Sequence, residues 1–139
     1  MFGGIDVAKM FLAPPTRIIS EVDKTGRATI YVSDGVGTTD TTTPIYLLVD
    51  QKTASASEIF AAAMQDNQRA TVVGSTATFG KGRIQNVQEL SMGCGIAVTK
   101  AKYMTPKGND IQGVGIKPDI ITDACGSNDS AQSCLNVIL

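Results

Sequence analysis

Apolar residues fall in short groups along the chain, and the period within each group assigns an element. From Ile5 to Leu12 they recur at helical spacing, and Pro14-Pro15 just beyond stop a helix. "RIISEV" and "ATIYVSD" flank "DKTGR", a short polar turn with a glycine, which predicts a β-hairpin. "GVGTTDTTT" has no period and reads as a loop. "PIYLLVD" is a short continuous apolar run, the pattern of a strand buried on both faces. Glu58 to Asn67 is rich in helix formers and puts Ile59, Phe60, Ala63 and Met64 on one broad face. "RATVVG" is a second buried strand, and "STATFGKG" is a loop with glycines on both sides of Lys81. "RIQNVQEL" and "GIAVTKAKYM" read as strands, the second by alternation. "TPKGND" is a turn, and "GVGIKPDI" is an extended segment bearing glycines. Strands alternating with one or two helices predict an α/β or mixed layered fold, with no internal repeat.

Composition narrows the chemistry. A length of 139 residues suits one domain with a real core. Twelve Lys and Arg against 13 Asp and Glu leave a net charge of −1, with few aromatics. That balance argues against a nucleic-acid partner held through phosphates and against a polybasic membrane patch. No apolar run approaches membrane-spanning length, so no intrinsic membrane segment is expected. There is no histidine, which excludes a Ser-His-Asp triad, a Cys-His pair and most zinc sites within this chain. Any nucleophile must therefore use another base, for which lysine is the main candidate. The three cysteines, Cys94, Cys125 and Cys134, form no Cys-x-x-Cys motif. Cys125 and Cys134 bracket "CGSNDSAQSC" and are either a disulfide, in an oxidising compartment, or two free thiols near a loose C-terminus. "MFGGIDVAKMFLAPP" has no basic leader or small-residue cleavage site and reads as the interior of a domain, so a fragment of a longer protein is expected.

The stretch "TASASEIFAAAMQ" carries two serines where a strand gives way to a helix. Ser55-x-x-Glu58 matches a capping box, and Ser57 alone could be an N-cap. The same geometry suits a nucleophile. A serine there projects its hydroxyl beyond the sheet edge, beside free helix amides able to stabilise an oxyanion. The small neighbours Ala54 and Ala56 would let a substrate backbone approach, as at a nucleophile elbow, though the glycines of the hydrolase version are absent. Lys81 in "TFGKGRIQ" is either a solvated turn lysine or the base. A phosphate loop fails because five residues separate Gly74 from Gly80 and because Gly82 replaces the magnesium-binding Ser or Thr. To act as a base, lysine must be neutral. A free lysine titrates near ~10.4, and bringing it to about 7 takes roughly 4 kcal/mol. Burial can supply that, with Phe79, Ile84 and the alanine-rich helix as the expected dry wall.

Together, "TASASEIFAAAMQDNQRATVVG", "TFGKGRIQ" and "AKYMTPKGNDIQGVGIKPDI" resemble the C-terminal processing peptidases, or tail-specific proteases, from about Gly3 to Ile120. These are serine peptidases with a Ser-Lys dyad, and all three motifs occur in the family's order. The resemblance implies a mixed α/β, crotonase/ClpP-like layered core, truncated at its N-terminus. It implies Ser55 as nucleophile, Lys81 as base and Gln85 as the residue that orients the lysine. Ser57 becomes a structural or capping serine. The amide of Ala56 and the glycine pair Gly3-Gly4 would form the oxyanion hole. No metal or organic cofactor is implied. The expected partners are protein substrates with apolar C-termini, and the oligomeric state stays open.

The sequence departs from the family in two places. Gly74 is followed by Ser75-Thr76-Ala77-Thr78, one residue longer than usual and without the family's glutamate, and the family's PDZ domain is absent. Residues 1–122 are read as the C-terminal part of the peptidase domain and 123–139 as a tail. That tail, "ACGSNDSAQSCL", looks like tails of the plastid branch, whose members trim a photosystem II reaction-centre protein in the thylakoid lumen. A bacterial periplasmic member is the alternative location. The rival functions are a non-catalytic binding module of the same fold, similar to retinoid-binding modules, and an inactive fragment.

Overall fold

The computed structural model describes residues 2–37, 40–125 and 130–138. The elements run α1 (Phe2–Phe11), β1 (Arg17–Asp23), β2 (Ala28–Val32), β3 (Tyr46–Leu48), α2 (Ala56–Asp66), β4 (Thr71–Gly74), β5 (Arg83–Glu89), β6 (Gly95–Met104), β7 (Ile120–Ile121) and α3 (Ala131–Ile138). They make two sheets, one antiparallel in the order β2-β1-β6-β5 and one parallel in the order β3-β4-β7. The mixed α/β expectation is met.

Helix α2 is the centre of the molecule. Its Ile59, Ala63 and Met64 pack with Ile5, Ala8, Leu12, Ile18, Ile19 and Tyr103, on the side of α1 and the antiparallel sheet. Its Ala61 and Ala62 pack with Val49, Val72, Ile111 and Ile116, on the side of the parallel sheet. The helix is therefore buried on two sides, not on the single face expected from its period. This explains the alanines, because only a small side chain lets a helix approach layers on both flanks. Phe60 lies at the border, tilted against Phe11 with ring centroids 6.2 Å apart.

Other expectations need correction. The "PIYLLVD" strand is not buried on both faces. Tyr46 and Leu48 are each 39% exposed, because β3 is an edge strand with β4 as its only neighbour among the described residues. Helix α1 starts at Phe2 rather than Ile5, so Gly3 and Gly4 lie in its first turn. Strands β5 and β6, both expected as strands, pair antiparallel from Arg83↔Lys102 to Glu89↔Gly95. Their outer half is exposed on both faces, Val87 and Val98 included. Of "GVGIKPDI", only the final isoleucine is in a strand. The tail is not loose throughout. It contains α3, and Cys134 is buried against Val73 and held in a disulfide. The side chain of Cys125 lies outside the described residues, while Cys94 is free and exposed. Among the described residues, no helix is long and apolar enough to cross a membrane.

The two-sided burial of α2 makes a direct prediction. Ala62 is 1% exposed, so Ala62→Leu inserts methylenes where both flanks are filled and should destabilise the fold by about 1–3 kcal/mol. Ser57→Leu, at an exposed position of the same helix, should change stability far less. Urea titration of both variants checks the contrast.

Candidate active site

Strand β3 runs parallel to β4, and α2 is the crossover between them. Ser55 therefore lies past the carboxyl end of a parallel strand, at a helix N-terminus, where α/β folds place ligands. The turn before it is set locally. Asp50 Oδ1 accepts the amides of Lys52 and Thr53 and the hydroxyl of Thr53, and Thr53 accepts the Asp50 amide in return. The chain then enters α2 through Ser55 at φ 56°, ψ −114°. A non-glycine residue held there costs of order 1–3 kcal/mol, and such strain gathers at functional sites.

Ser55 occupies the N-cap position of α2. The two halves of the capping box are unequal. The Ser55 amide donates to Glu58 Oε2 at 2.8 Å, whereas the Ser55 hydroxyl faces the Glu58 amide without a hydrogen bond of full cap geometry. Ser57 is not the N-cap considered from the sequence. It is the second helical residue and is exposed.

Glu58 ties the site together, although sequence reasoning gave it no role beyond the capping box. Its side chain is 0% exposed. Oε2 accepts both the Ser55 amide and the Lys81 amide at 2.8 Å, so those two nitrogens are no further apart than twice that distance. Oε1 accepts the Thr78 hydroxyl and the Gly80 amide, each at 2.6 Å. All four partners donate, a ring complementary to a carboxylate. The 75–80 segment reaches this ring despite its extra residue.

A second segment braces the Lys81 loop from outside. Gly113 donates to the Gly80 carbonyl at 2.8 Å, and Gly82 donates to Gln112 Oε1 at 3.0 Å. Gly80 has φ +84°, and a Cβ there would lie 2.9–3.0 Å from the amides of Gly113, Val114 and Gly115, so the crossing requires glycine. The "GNDIQGVGIKPD" stretch is therefore a buttress for the lysine loop. Its Asp110 also pins the start of β5, bonding Arg83 at 2.9 Å and Lys102 at 3.3 Å. The Arg83 hydrogen bond, with those of Gln112 and Lys102, holds the Asp110 carboxyl well down, at about 2.

The structure brings the Ser55 and Lys81 main chains together but does not build the expected dry wall. Lys81 is exposed, Phe79 is 64% exposed, and Lys81 Nζ has no hydrogen bond or ion pair among the described residues. The reason is packing. Ile84 turns toward the α1–α2 core, and the α2 alanines are taken up by the two sheets. Gln85 does not meet Lys81 here either, since its carboxamide donates to Thr99 Oγ1 at 3.3 Å.

Ala56, Gly3 and Gly4 do converge. They line one cavity of about 540 Å³ with Val7, Leu47, Leu48 and Phe60. Ala56 is the first residue of α2 and Gly3 and Gly4 are in the first turn of α1, so all three amides lack intrahelical acceptors. A Cβ on Gly4 would press deep into the Ala56 carbonyl oxygen, which shows how closely the two helix starts meet. A cavity of about 500 Å³ at the far end of α2 is lined by Arg69 and Asp119 among others. Both are already engaged there by main-chain partners, Arg69 with three carbonyls and Asp119 with the Val72 amide. Among the described residues, no three His, Cys, Asp or Glu side chains converge as metal ligands.

The sequence profile of peptidase family S41 matches residues 1–122. A carboxyl-terminal-processing protease of Synechocystis sp. is 51% identical over 120 residues, 86% of this chain and 27% of that protein. Carboxyl-terminal-processing peptidase 2, chloroplastic, of Arabidopsis thaliana is 48% identical over 116 residues, 84% of this chain and 22% of that protein. A solved photosystem II D1 C-terminal processing protease superposes with a TM-score of 0.79 at 43% identity, covering 88% of this chain and 31% of that one. The chain thus spans about a quarter of the length of the curated relatives it matches.

Two predictions follow from the contacts. Gly4→Ala must push α1 from α2 and should cost about 1–3 kcal/mol, whereas Gly3→Ala, with open space around its Cβ, should be neutral or slightly stabilising. Thermal denaturation of the pair tests this. The second concerns acid. Because the Asp110 carboxyl is held below its ordinary value of 3.8, its contribution is full above that value and is lost as pH falls toward about 2. Asp110→Asn should therefore lower the melting temperature at pH 6 and converge with wild type near pH 2.

Proposed function

Because this chain belongs to peptidase family S41, we propose that it carries the nucleophile, the base and the oxyanion amides of a serine endopeptidase that processes proteins near their C-termini. The observation that carries this reading is the shared Glu58 oxygen, which holds the amides of Ser55 and Lys81 together. The strained backbone of Ser55 supports it. In this mechanism Ser55 Oγ attacks the scissile carbonyl while Lys81 Nζ takes its proton. The amides of Ala56 and of Gly3 or Gly4 stabilise the oxyanion. Lys81 returns the proton to the leaving amine, and water then releases the acyl group from Ser55. Gln85 joins Lys81 only if its carboxamide swings away from Thr99. Lys81 is exposed here, so the desolvation that a lysine base needs has to arrive with the bound peptide or with further protein around the site.

The cavity beside the amides is walled by Val7, Leu47, Leu48 and Phe60, which suits an apolar side chain of the substrate. It supports protein substrates with apolar C-terminal segments. Residues 1–122 form the peptidase part and 123–139 a tail, a division in line with where the family profile ends. The chloroplastic names among the relatives support a plastid setting, and within it we assign the chain to the thylakoid lumen, with a bacterial periplasm as the alternative.

Fluorophosphonate labelling tests the nucleophile, and cleavage of an unstructured polypeptide with an apolar C-terminus tests the whole reading. Ser55→Ala and Lys81→Ala should each abolish both signals while the fold survives, and Ser57→Ala should retain them. Cleavage should rise with pH as the base loses its proton, without an imidazole-like step. Loss of labelling in Ser57→Ala with retention in Ser55→Ala would overturn the assignment. Binding without labelling or cleavage would favour a non-catalytic module.

A further inference from the structure

We propose that Thr78 is a positioning residue of this site, relaying the 111–116 buttress onto the Glu58 carboxylate and so fixing Ser55 against Lys81. The inference rests on the peptidase reading for its kinetic consequence but not for its geometry. Thr78 is 5% exposed, and its hydroxyl is committed on both sides. Its proton goes to Glu58 Oε1 at 2.6 Å, and its oxygen accepts the Ile116 amide at 2.8 Å. The Thr78 amide donates back to the Ile116 carbonyl at 3.1 Å. A Cβ on Gly115 would collide with the Thr78 carbonyl, so the two strands of chain are in direct contact. Thr78 is thereby bolted to the buttress, and one hydroxyl passes that constraint inward.

The division between the two carboxylate oxygens gives the relay its meaning. Oε1 is held by the loop, through Thr78 and Gly80, and Oε2 holds the main chains of the two proposed dyad residues. A carboxylate is planar, so fixing Oε1 fixes where Oε2 lies. Without the Thr78 hydroxyl, Oε1 keeps one donor and the buried Ile116 amide loses its acceptor. The carboxylate can then rotate, and the Ser55 and Lys81 amides lose their common anchor. In positioned catalysis a misplacement of about 1 Å can cost on the order of 100-fold.

Thr78→Val is nearly isosteric and removes only the hydroxyl, whereas Thr78→Ser keeps it. The measurements are the backbone amide resonances of Ser55 and Lys81, together with kcat and KM for the unstructured polypeptide. Thr78→Val should displace both amide resonances and lower kcat about tenfold or more, with KM within about twofold. Thr78→Ser should restore the resonances and bring kcat to within about threefold of wild type. A merely structural threonine would lower the melting temperature and leave the Ser55 and Lys81 amides in place below it. Unmoved amides in Thr78→Val, or a Ser variant as impaired as the Val variant, would overturn the relay. Displaced amides in a protein whose wild type neither cleaves nor labels would refute the peptidase reading and leave the relay standing. Should Thr78→Val fail to fold, Thr78→Cys carries the same comparison through its weaker donor.

Discussion

A buried carboxylate held by four donors, none of them a cation, is the constraint around which this fold is arranged. Glu58 is fully buried, and removing such a charge from water costs several kcal/mol unless its oxygens are satisfied. Here they are satisfied by three main-chain amides and one hydroxyl, from two segments more than 20 residues apart in sequence. Hydrogen bonds to a charged acceptor are worth about 1.5–3 kcal/mol each, and the α2 N-terminus adds its own favourable field. Any displacement of the 78–81 loop would strip donors from a charge that cannot reach water. The loop is thus held by the cost of leaving as much as by its own contacts.

The strain at Ser55 belongs to the same arrangement. A left-handed serine persists only where its surroundings over-determine it. On one side the Asp50 turn dictates how the chain leaves β3. On the other, α2 cannot shift to relieve the strain, because its alanines are pressed between two layers and its first turn abuts Gly4 of α1. Small residues at these contacts serve rigidity, since they bring backbone close to backbone and leave no slack.

Rigidity in the main chain coexists with openness in the side chains. Lys81 and Phe79 are exposed, and the cavity where Ala56 meets Gly3 and Gly4 is walled mainly by apolar side chains. A preorganised backbone under uncommitted side chains suits a site whose last component is an incoming peptide. On the proposed peptidase reading, the amides and the anchor are built beforehand, and the dry environment that a lysine base requires would come with the occupant.

Much of this was legible in the residues. Local pattern located α1, α2, the β1–β2 hairpin and the β4 and β6 strands, because helical spacing, turn residues, short apolar runs and alternation are all local signals, whereas the period of "RIQNVQEL" left β5 ambiguous. The absence of histidine turned attention to lysine, and Ser-x-x-Glu marked the start of α2 to within a turn. Exposure was not legible. The "PIYLLVD" run reads as doubly buried but is an edge strand, and alternation in β6 reveals a strand without revealing that its outer half is uncovered on both faces. Glu58 had a local role in its capping box, and nothing in the sequence tied it to Thr78, Gly80 or Lys81. Local sequence determined where helices and strands start and which residues could do chemistry, because propensities and caps act over one or two turns. Only the tertiary structure decided that one carboxylate would serve both loops and that Lys81 would stand exposed. Burial and hydrogen-bond closure depend on which distant segments meet, and no local pattern records that.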